Sequence, residues 1–363
     1  MFGRGFRIVT IRGVPVNVDS SWIWIAVLAV YTLWSRFDAR FPELSVGGAL
    51  GFGVLCAVLF FGSVFLHEGA HAVTARLAGI EVQGITLVFF GGFTSARSES
   101  RGPWPAFWIS ALGPATSLGL GATFYLLAQI GERTPIIEAF AIAATVNLFM
   151  AAFNVLPGLP LDGGRMLQAI IWGLTKDEAK GTRVASRAGM VVGGVVIGAA
   201  IWEVTRQDLF GAVWLGLIGL FIFQGARASE QRIGISRRLA AATVADAMEP
   251  PPPWVPADLS LSETLDRYLR GHEGEAFPVV EAGRVIGMIS FNSARDLGAR
   301  DPLRPARDAV IPLEHVLIAR PEEHLDEVAE RLGSERAAIV LHDGVLVGAI
   351  SGDGLLRWAA RAR

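Results

Sequence analysis

The chain is 363 residues long, room for two or three domains, and 52% of it is hydrophobic against 18% charged. With a mean hydropathy of +0.45, this balance leans toward a membrane protein. The net charge of −2 conceals an asymmetry: residues 1–238 hold 19 Lys and Arg against 14 Asp and Glu, while residues 239–363 hold 13 against 20. Neither part has the basic stripe of a nucleic-acid binder, so that class is excluded, and the single Cys56 excludes an intrachain disulfide framework.

In chain order, the Arg-bearing segment Phe2–Gly13 is followed by the apolar run Trp22–Trp34. That run lacks a small-residue cleavage site, which predicts a first membrane helix rather than a signal peptide. A spanning helix needs about 20 mostly apolar residues. Six segments qualify or nearly so: 18–35, 46–75, 104–130, 136–156, 188–203 and 209–226. With the N-terminus in the cytoplasm, fifteen Lys and Arg fall on the cytoplasmic side, Arg4, Arg7, Arg12, Arg76, Arg97 and Arg101 among them. Only Arg36, Arg40, Arg133 and Arg206 fall opposite. That bias predicts six spans with both termini cytoplasmic. The Ala- and Arg-rich composition fits the plasma membrane of a bacterium.

The second apolar segment ends in His67-Glu68-Gly69-Ala70-His71. On a helix the two histidines lie one turn apart on one face, so both imidazoles can bind one Zn²⁺ with Glu68 beside it as a base. A helix over 46–75 would be about 45 Å long against a hydrocarbon core of about 30 Å, which predicts a water-reachable site near the cytoplasmic end. An ionisable residue in a membrane is costly, and metal binding explains its retention better than a protonated Glu68.

Next comes Ile80–Ala96, containing ITLVFFGGFT, too short to span as a helix. Its β-branched and aromatic residues around Gly91-Gly92 predict a hairpin on or dipping into the membrane. Gly91 and Gly92 are candidate substrate-binding residues there, because a free strand edge can pair with an extended peptide. An ordinary interfacial loop fits the same residues. After the fourth segment, Asn154-Val-Leu-Pro-Gly-Leu-Pro-Leu-Asp-Gly-Gly-Arg165 breaks the helix. Irregular backbone at membrane depth is tolerated only where it lines a cavity or is buried, so Asp162 is the best candidate for a third ligand. Capping the following helix is its competing role.

Past Arg238 the tract Pro250–Pro253 introduces an internal repeat with an offset of 61 residues. AFPVVEAGRVIGMIS (276–290) aligns without gaps to AAIVLHDGVLVGAIS (337–351), each strand–Gly turn–strand, and apolar periodicity predicts a helix before each copy, at Leu261–Leu269 and Leu325–Leu332.

HEGAH on an early membrane helix with NVLPGLPLDGG on a later one resembles the site-2 protease family of intramembrane zinc peptidases, and the C-terminal repeat resembles a CBS pair. Together the two resemblances cover essentially the whole chain. The implied fold is an α-helical polytopic membrane domain over 1–238, with about six transmembrane helices and a membrane-associated β-hairpin. A C-terminal α/β tandem CBS module follows, with repeats 239–300 and 301–363. The family implies one Zn²⁺ per chain on His67, His71 and Asp162, Glu68 as general base, and Asn154 near the scissile carbonyl. An Asn at a helix end also serves as a cap. The family's third span usually carries Gly-Pro followed by Asn; here Gly113-Pro114 is followed by Ser117 at that place.

The implied activity is zinc-dependent hydrolysis within transmembrane segments of membrane proteins, anti-sigma factors among them, in the lipid bilayer. The CBS pair would regulate the enzyme, bind an adenine nucleotide or form a homodimer. Its nucleotide motif is altered: where the family has Ser or Thr with Asp three residues on, this chain has Ser290 with Ser293, and Ser351 with Gly354. A CBS-gated transporter and a non-catalytic membrane adaptor are the competing classes. The first gives no reason for the His67–His71 spacing, and the second none for a complete set of catalytic residues.

Overall fold

The charge-free run Val46–His67 folds as the first two-thirds of helix α2 (Val46–Leu77) in the computed structural model. Described in this structure are residues 6–11, 13–88, 91–96, 102–273, 275–332 and 337–361; Arg4, Arg12, Arg97 and Arg101 lie outside them. The chain divides into two compact units, Met1–Ile233 and Gly234–Arg363.

In the first unit, Ser45 starts α2 by accepting the Gly48 N–H at 3.1 Å, a side-chain cap that satisfies one of the free donors of the first turn. Helix α1 (Ser21–Arg40) packs closely on it, since a Cβ at Gly53 would stand 2.8 Å from Trp34 N. Helices α3 (Pro103–Leu127) and α4 (Pro135–Asn154) both begin on proline, which loses nothing at a helix start. A short helix α5 (Asp162–Thr175) then precedes α6 (Glu178–Thr205) and α7 (Leu209–Ala240). Glycines let backbone meet backbone along α6 and α7: a Cβ at Gly193 would lie 2.8 Å from Phe223 N, and one at Gly219 2.9 Å from Ile197 N.

Strands β1 (Phe6–Ile11), β2 (Val14–Val18), β3 (Val82–Val88) and β4 (Gly91–Ala96) form one sheet in that order. Strand β2 pairs with β3 in parallel, Val16 opposite Ile85, while β3 and β4 are antiparallel with Val88 opposite Gly91. The sheet buries Val14, Val18, Val82 and Ile85 against Val64, Ala72 and Ala75 of α2.

Two expectations about this unit need correction. Among the described residues four helices, not six, are long and apolar enough to cross a membrane: α2, α4, α6 and α7. Helix α1 reaches Arg36, Asp38 and Arg40 after 15 residues, about 22 Å, short of a hydrocarbon core of about 30 Å. The apolar content of α3 is diluted by Pro103, Pro105, Pro114, Gly113, Gly119 and Gly121 together with its serines and threonines. Nor is a membrane-associated hairpin indicated. β3 and β4 are half of a four-stranded sheet, and the buried face of that sheet is satisfied by α2 rather than by lipid.

The second unit contains α8 (Val244–Ala247), β5 (Val255–Pro256), α9 (Leu261–Thr264), β6 (Ala276–Glu281), β7 (Arg284–Ser290), α10 (Phe291–Gly298), β8 (Ile311–Pro312), β9 (Ile318–Ala319), α11 (Leu325–Leu332), β10 (Ala337–His342), β11 (Val345–Ser351) and α12 (Gly352–Arg361). Sheets ordered β5-β6-β7-β8 and β11-β10-β9 each centre on one hairpin of the repeat. Both hairpins turn through two positive-φ residues, Ala282-Gly283 and Asp343-Gly344, the conformation that matches the twist of the flanking strands. Each half keeps its own core, around Val279 and Ile289 in one and Val340 and Ile350 in the other.

The glycine contacts give a stability test. A Cβ at Gly189 of α6 would overlap the Leu159 carbonyl and stand 3.0 Å from Ala226 Cβ, whereas one at Gly194 would meet nothing within 4 Å. Gly189→Ala is expected to destabilise the full chain by about 1–3 kcal/mol or more, and Gly194→Ala to be neutral or slightly stabilising. Thermal unfolding of the two variants side by side checks this.

Candidate metal centre

Four residues separate His67 from His71 on α2, so their rings leave one face of the helix, with centroids 4.9 Å apart. Asp162 comes from a distant part of the chain, as the first residue of α5. The preceding Leu161 is extended and makes no side-chain cap, and the two glycines after Asp162 let α5 start close against the chain before it. A Cβ at Gly163 would overlap the Val155 carbonyl, and one at Gly164 would overlap Gly158. The aspartate is thereby pressed onto the histidines: its Oδ2 lies 3.1 Å from His67 Nε2 and 3.3 Å from His71 Nε2. The two Nε2 atoms are 3.3 Å apart.

These three atoms form a nearly equilateral triangle. Tetrahedral zinc with ligand bonds of about 2.0–2.1 Å needs donor atoms about 3.3–3.4 Å apart, so the triangle has the size of one face of such a tetrahedron and leaves a fourth position for water. Glu68 joins the cluster: one ligand atom each from His67, Glu68 and His71 lies within 4.8 Å of the others, and all three residues are buried. Asp162 brings a carboxylate oxygen within 3.3 Å of both rings' Nε2 atoms.

Helix α3 completes the centre from behind. His71 Nδ1 donates to the Ile109 carbonyl at 2.6 Å. A carbonyl only accepts, so in the neutral ring Nε2 keeps the lone pair a metal needs. His67 Nδ1 lies 2.8 Å from Ser117 Oγ, and a hydroxyl that accepts there gives that ring the same tautomer. Midway between Ile109 and Ser117 on the same helical face is Gly113, where a Cβ would stand 2.9 Å from His67 Nε2 and closer still to His71 Nε2. Residues 109, 113 and 117 thus supply an acceptor, a gap and a hydroxyl at four-residue spacing.

Of the candidates named from sequence, His67, Glu68, His71 and Asp162 come together here. Asn154 stands at the end of α4 with its Nδ2 donating to the Met150 carbonyl at 3.1 Å, within its own helix. Gly91 and Gly92 open β4, opposite Val88 and Leu87. The role of Ile109, which acts through its backbone carbonyl, was missed, while Gly113 was visible in the sequence as part of the Gly113-Pro114 pair that permits close helix packing. A related feature sits one turn before His67, where Asn147 of α4, fully buried, donates to Ser63 Oγ at 2.9 Å and ties α4 to α2.

Metal retention tests the α3 contact. Gly113→Ala is expected to cut the divalent metal carried by the purified full chain at least about tenfold, the range seen when outer partners of a metal ligand are disturbed. Gly119→Ala, whose added methyl meets nothing within 4 Å, serves as the control on the same helix and should leave it unchanged. Elemental analysis of both variants provides the reading.

Comparison with known proteins agrees with this geometry. The profile of peptidase family M50 matches residues 55–133 and 128–196, and that of the CBS domain matches residues 244–297. The protein named "Putative zinc metalloprotease Rip3" of Mycobacterium tuberculosis is 38% identical, over 96% of this chain and 91% of its own length. "Putative zinc metalloprotease sll0528" of Synechocystis is 32% identical over 98% of this chain and 95% of its own. "Zinc metalloprotease MJ0392" of Methanocaldococcus jannaschii is 25% identical over 97% and 95%. Identity at this level over nearly the whole of both chains, with HEGAH inside the matched region, means that the chain belongs to peptidase family M50, the site-2 protease type of zinc metalloprotease.

Proposed function

We propose that this chain cuts peptide bonds in membrane-embedded segments of other proteins, using one zinc held by His67, His71 and Asp162 with Glu68 as general base. The observation that carries the proposal is the triangle of donor atoms at 3.1–3.3 Å, buried at the end of a membrane-crossing helix. Zinc bound in such a site supplies Lewis acidity toward a carbonyl and lowers the pKa of water to about 7.

The chain's own groups do the rest. Glu68, next to His67 on α2, takes a proton from the attacking water and delivers it to the leaving nitrogen. Asn154 is assigned to the scissile carbonyl, through an amide whose Nδ2 gives one hydrogen to the Met150 carbonyl and has a second to offer. A helical substrate hides its peptide bonds in hydrogen bonds and must unwind before it can be cut. Strand β4 is the last strand of its sheet, and its edge, beginning at Gly91 and Gly92, is assigned to pairing with the unwound segment. Membrane proteins that carry weak helix formers in the bilayer are the expected substrates, anti-sigma factors included.

Residues 1–238 are assigned to the peptidase domain, and 239–300 and 301–363 to the two CBS repeats. Helices α6 and α7 expose Val191, Val195, Ile201, Trp202, Phe210 and Val213, as helices in contact with lipid do. Arg227, Arg232, Arg237 and Arg238 end α7 and assign that end, with the CBS repeats after it, to the cytoplasm of a bacterial cell. Regulation is assigned to the CBS pair, through an adenine nucleotide or a second copy of the chain. A cleft of about 510 Å³ lined by Ser293, Asp296, Arg300, Asp308 and His315 is of a size suited to a small ligand.

The reading is tested with a single-pass model substrate in liposomes. Wild type is expected to make a chelator-sensitive cut inside the membrane segment, and Glu68→Gln to reduce the rate by about 10²–10⁴-fold. Equal rates, with products compared by mass spectrometry, would remove Glu68 from the mechanism. In the same assay, replacing Gly91 and Gly92 by proline should slow cleavage, and an unchanged rate would remove β4.

A further inference from the structure

Where α1 ends and α4 begins, helices α1, α3 and α4 border a groove of about 1090 Å³ away from the residues of the metal centre. Its mouth is cationic. Arg36 and Arg40 reach it from the last turns of α1, and Arg133 from the turn before α4. Glu138 is the single acid among the lining residues, and it is already paired with Arg36 at 2.6 Å. Among the described residues neither Arg40 nor Arg133 has an ion-pair partner, so two positive charges are left over. The N-terminus of α4 adds its partial positive charge at the same end.

Below the mouth the groove turns apolar. Ile137, Ala141, Ala144 and Leu148 descend one side of α4, a membrane-crossing helix. Thr145 on the same wall spends its hydroxyl on the Ala141 carbonyl at 2.8 Å, so it presents no free donor. From Ile137 to Leu148 the helix rises about 16 Å. Half of a hydrocarbon core of about 30 Å, the thickness of one leaflet, is about 15 Å.

A small anion would be held by the mouth alone, and an apolar segment by the wall alone. Both together select a molecule with a phosphate head and a hydrocarbon tail. We propose that this groove is a binding site for an anionic phospholipid, its phosphodiester held between the guanidinium groups of Arg40 and Arg133 and one acyl chain lying along α4. Guanidinium forks match phosphate oxygens in pairs, and basic recesses between membrane helices suit anionic headgroups.

Native mass spectrometry of the full chain, offered phosphatidylglycerol and phosphatidylcholine with identical acyl chains, tests the proposal. Wild type should retain the anionic lipid at least about tenfold better, as two charge-assisted contacts imply. The double variant Arg40→Gln/Arg133→Gln should reduce that preference to near unity. Both arginines are exposed, so folding should survive, and unfolding temperature verifies it. Thr145→Trp, which fills the apolar wall and leaves the arginines in place, should lower retention of both lipids. Arg206→Gln, outside the groove, should change nothing. An unchanged preference in the double variant would overturn the site. Displacement of the lipid by millimolar inorganic phosphate would overturn the acyl half of the proposal and leave an anion site only, as would a Thr145→Trp variant that retains lipid like wild type.

Discussion

Two imidazoles and a carboxylate, their donor atoms 3.1–3.3 Å apart inside a bundle of apolar helices, set the terms for the rest of the first unit. Buried polar groups cost several kcal/mol each unless they are partnered. Here each ring nitrogen is accounted for. The Nε2 atoms face Asp162 and each other, and the Nδ1 atoms are taken by Ile109 and Ser117. Such saturation is possible only because α3 passes directly over the rings, and it can pass there only because residue 113 has no side chain. His67, Glu68 and His71 are buried, which strengthens the electrostatic interactions within the cluster.

The same logic of close backbone approach governs the delivery of Asp162. Gly163 and Gly164 let the first turn of α5 abut the segment Val155–Leu159, and Gly189 of α6 closes on Leu159 from the other side. Helix α6 in turn meets α7 through Gly193 and Gly219. A run of contacts without side chains therefore links Asp162 to the two last helices of the unit. Interfaces between membrane helices favour small residues for this reason, since packing there cannot draw on the exclusion of water.

The parts legible in the sequence were those encoded locally. HEGAH carries its geometry in its four-residue spacing, and the bounds of β6 and β7 recur in β10 and β11 at the 61-residue offset of the repeat. What stayed hidden depends on distant partners. The segment before α1 forms β1 and β2, and β2 pairs with a strand near residue 85, a parallel contact that no local alternation announces. That pairing is why a hairpin expected in the membrane proved to be half of a sheet on α2. Counting apolar runs gave six spans because the count did not weigh the charges that end α1 or the prolines and glycines in α3. Ser117 stood out in the sequence only as a departure from the family, while the structure sets its hydroxyl on His67, fifty positions away in the chain.

The central claim, that α2 and α5 jointly hold one zinc, is tested most directly by zinc-edge X-ray absorption on the purified full chain. The account predicts one zinc per chain with a first shell of two imidazole nitrogens at about 2.0–2.1 Å and two oxygens at about 2.0–2.2 Å, and loss of one oxygen ligand or of the metal in Asp162→Ala. A first shell that contains sulfur, or one unchanged in Asp162→Ala, would contradict it.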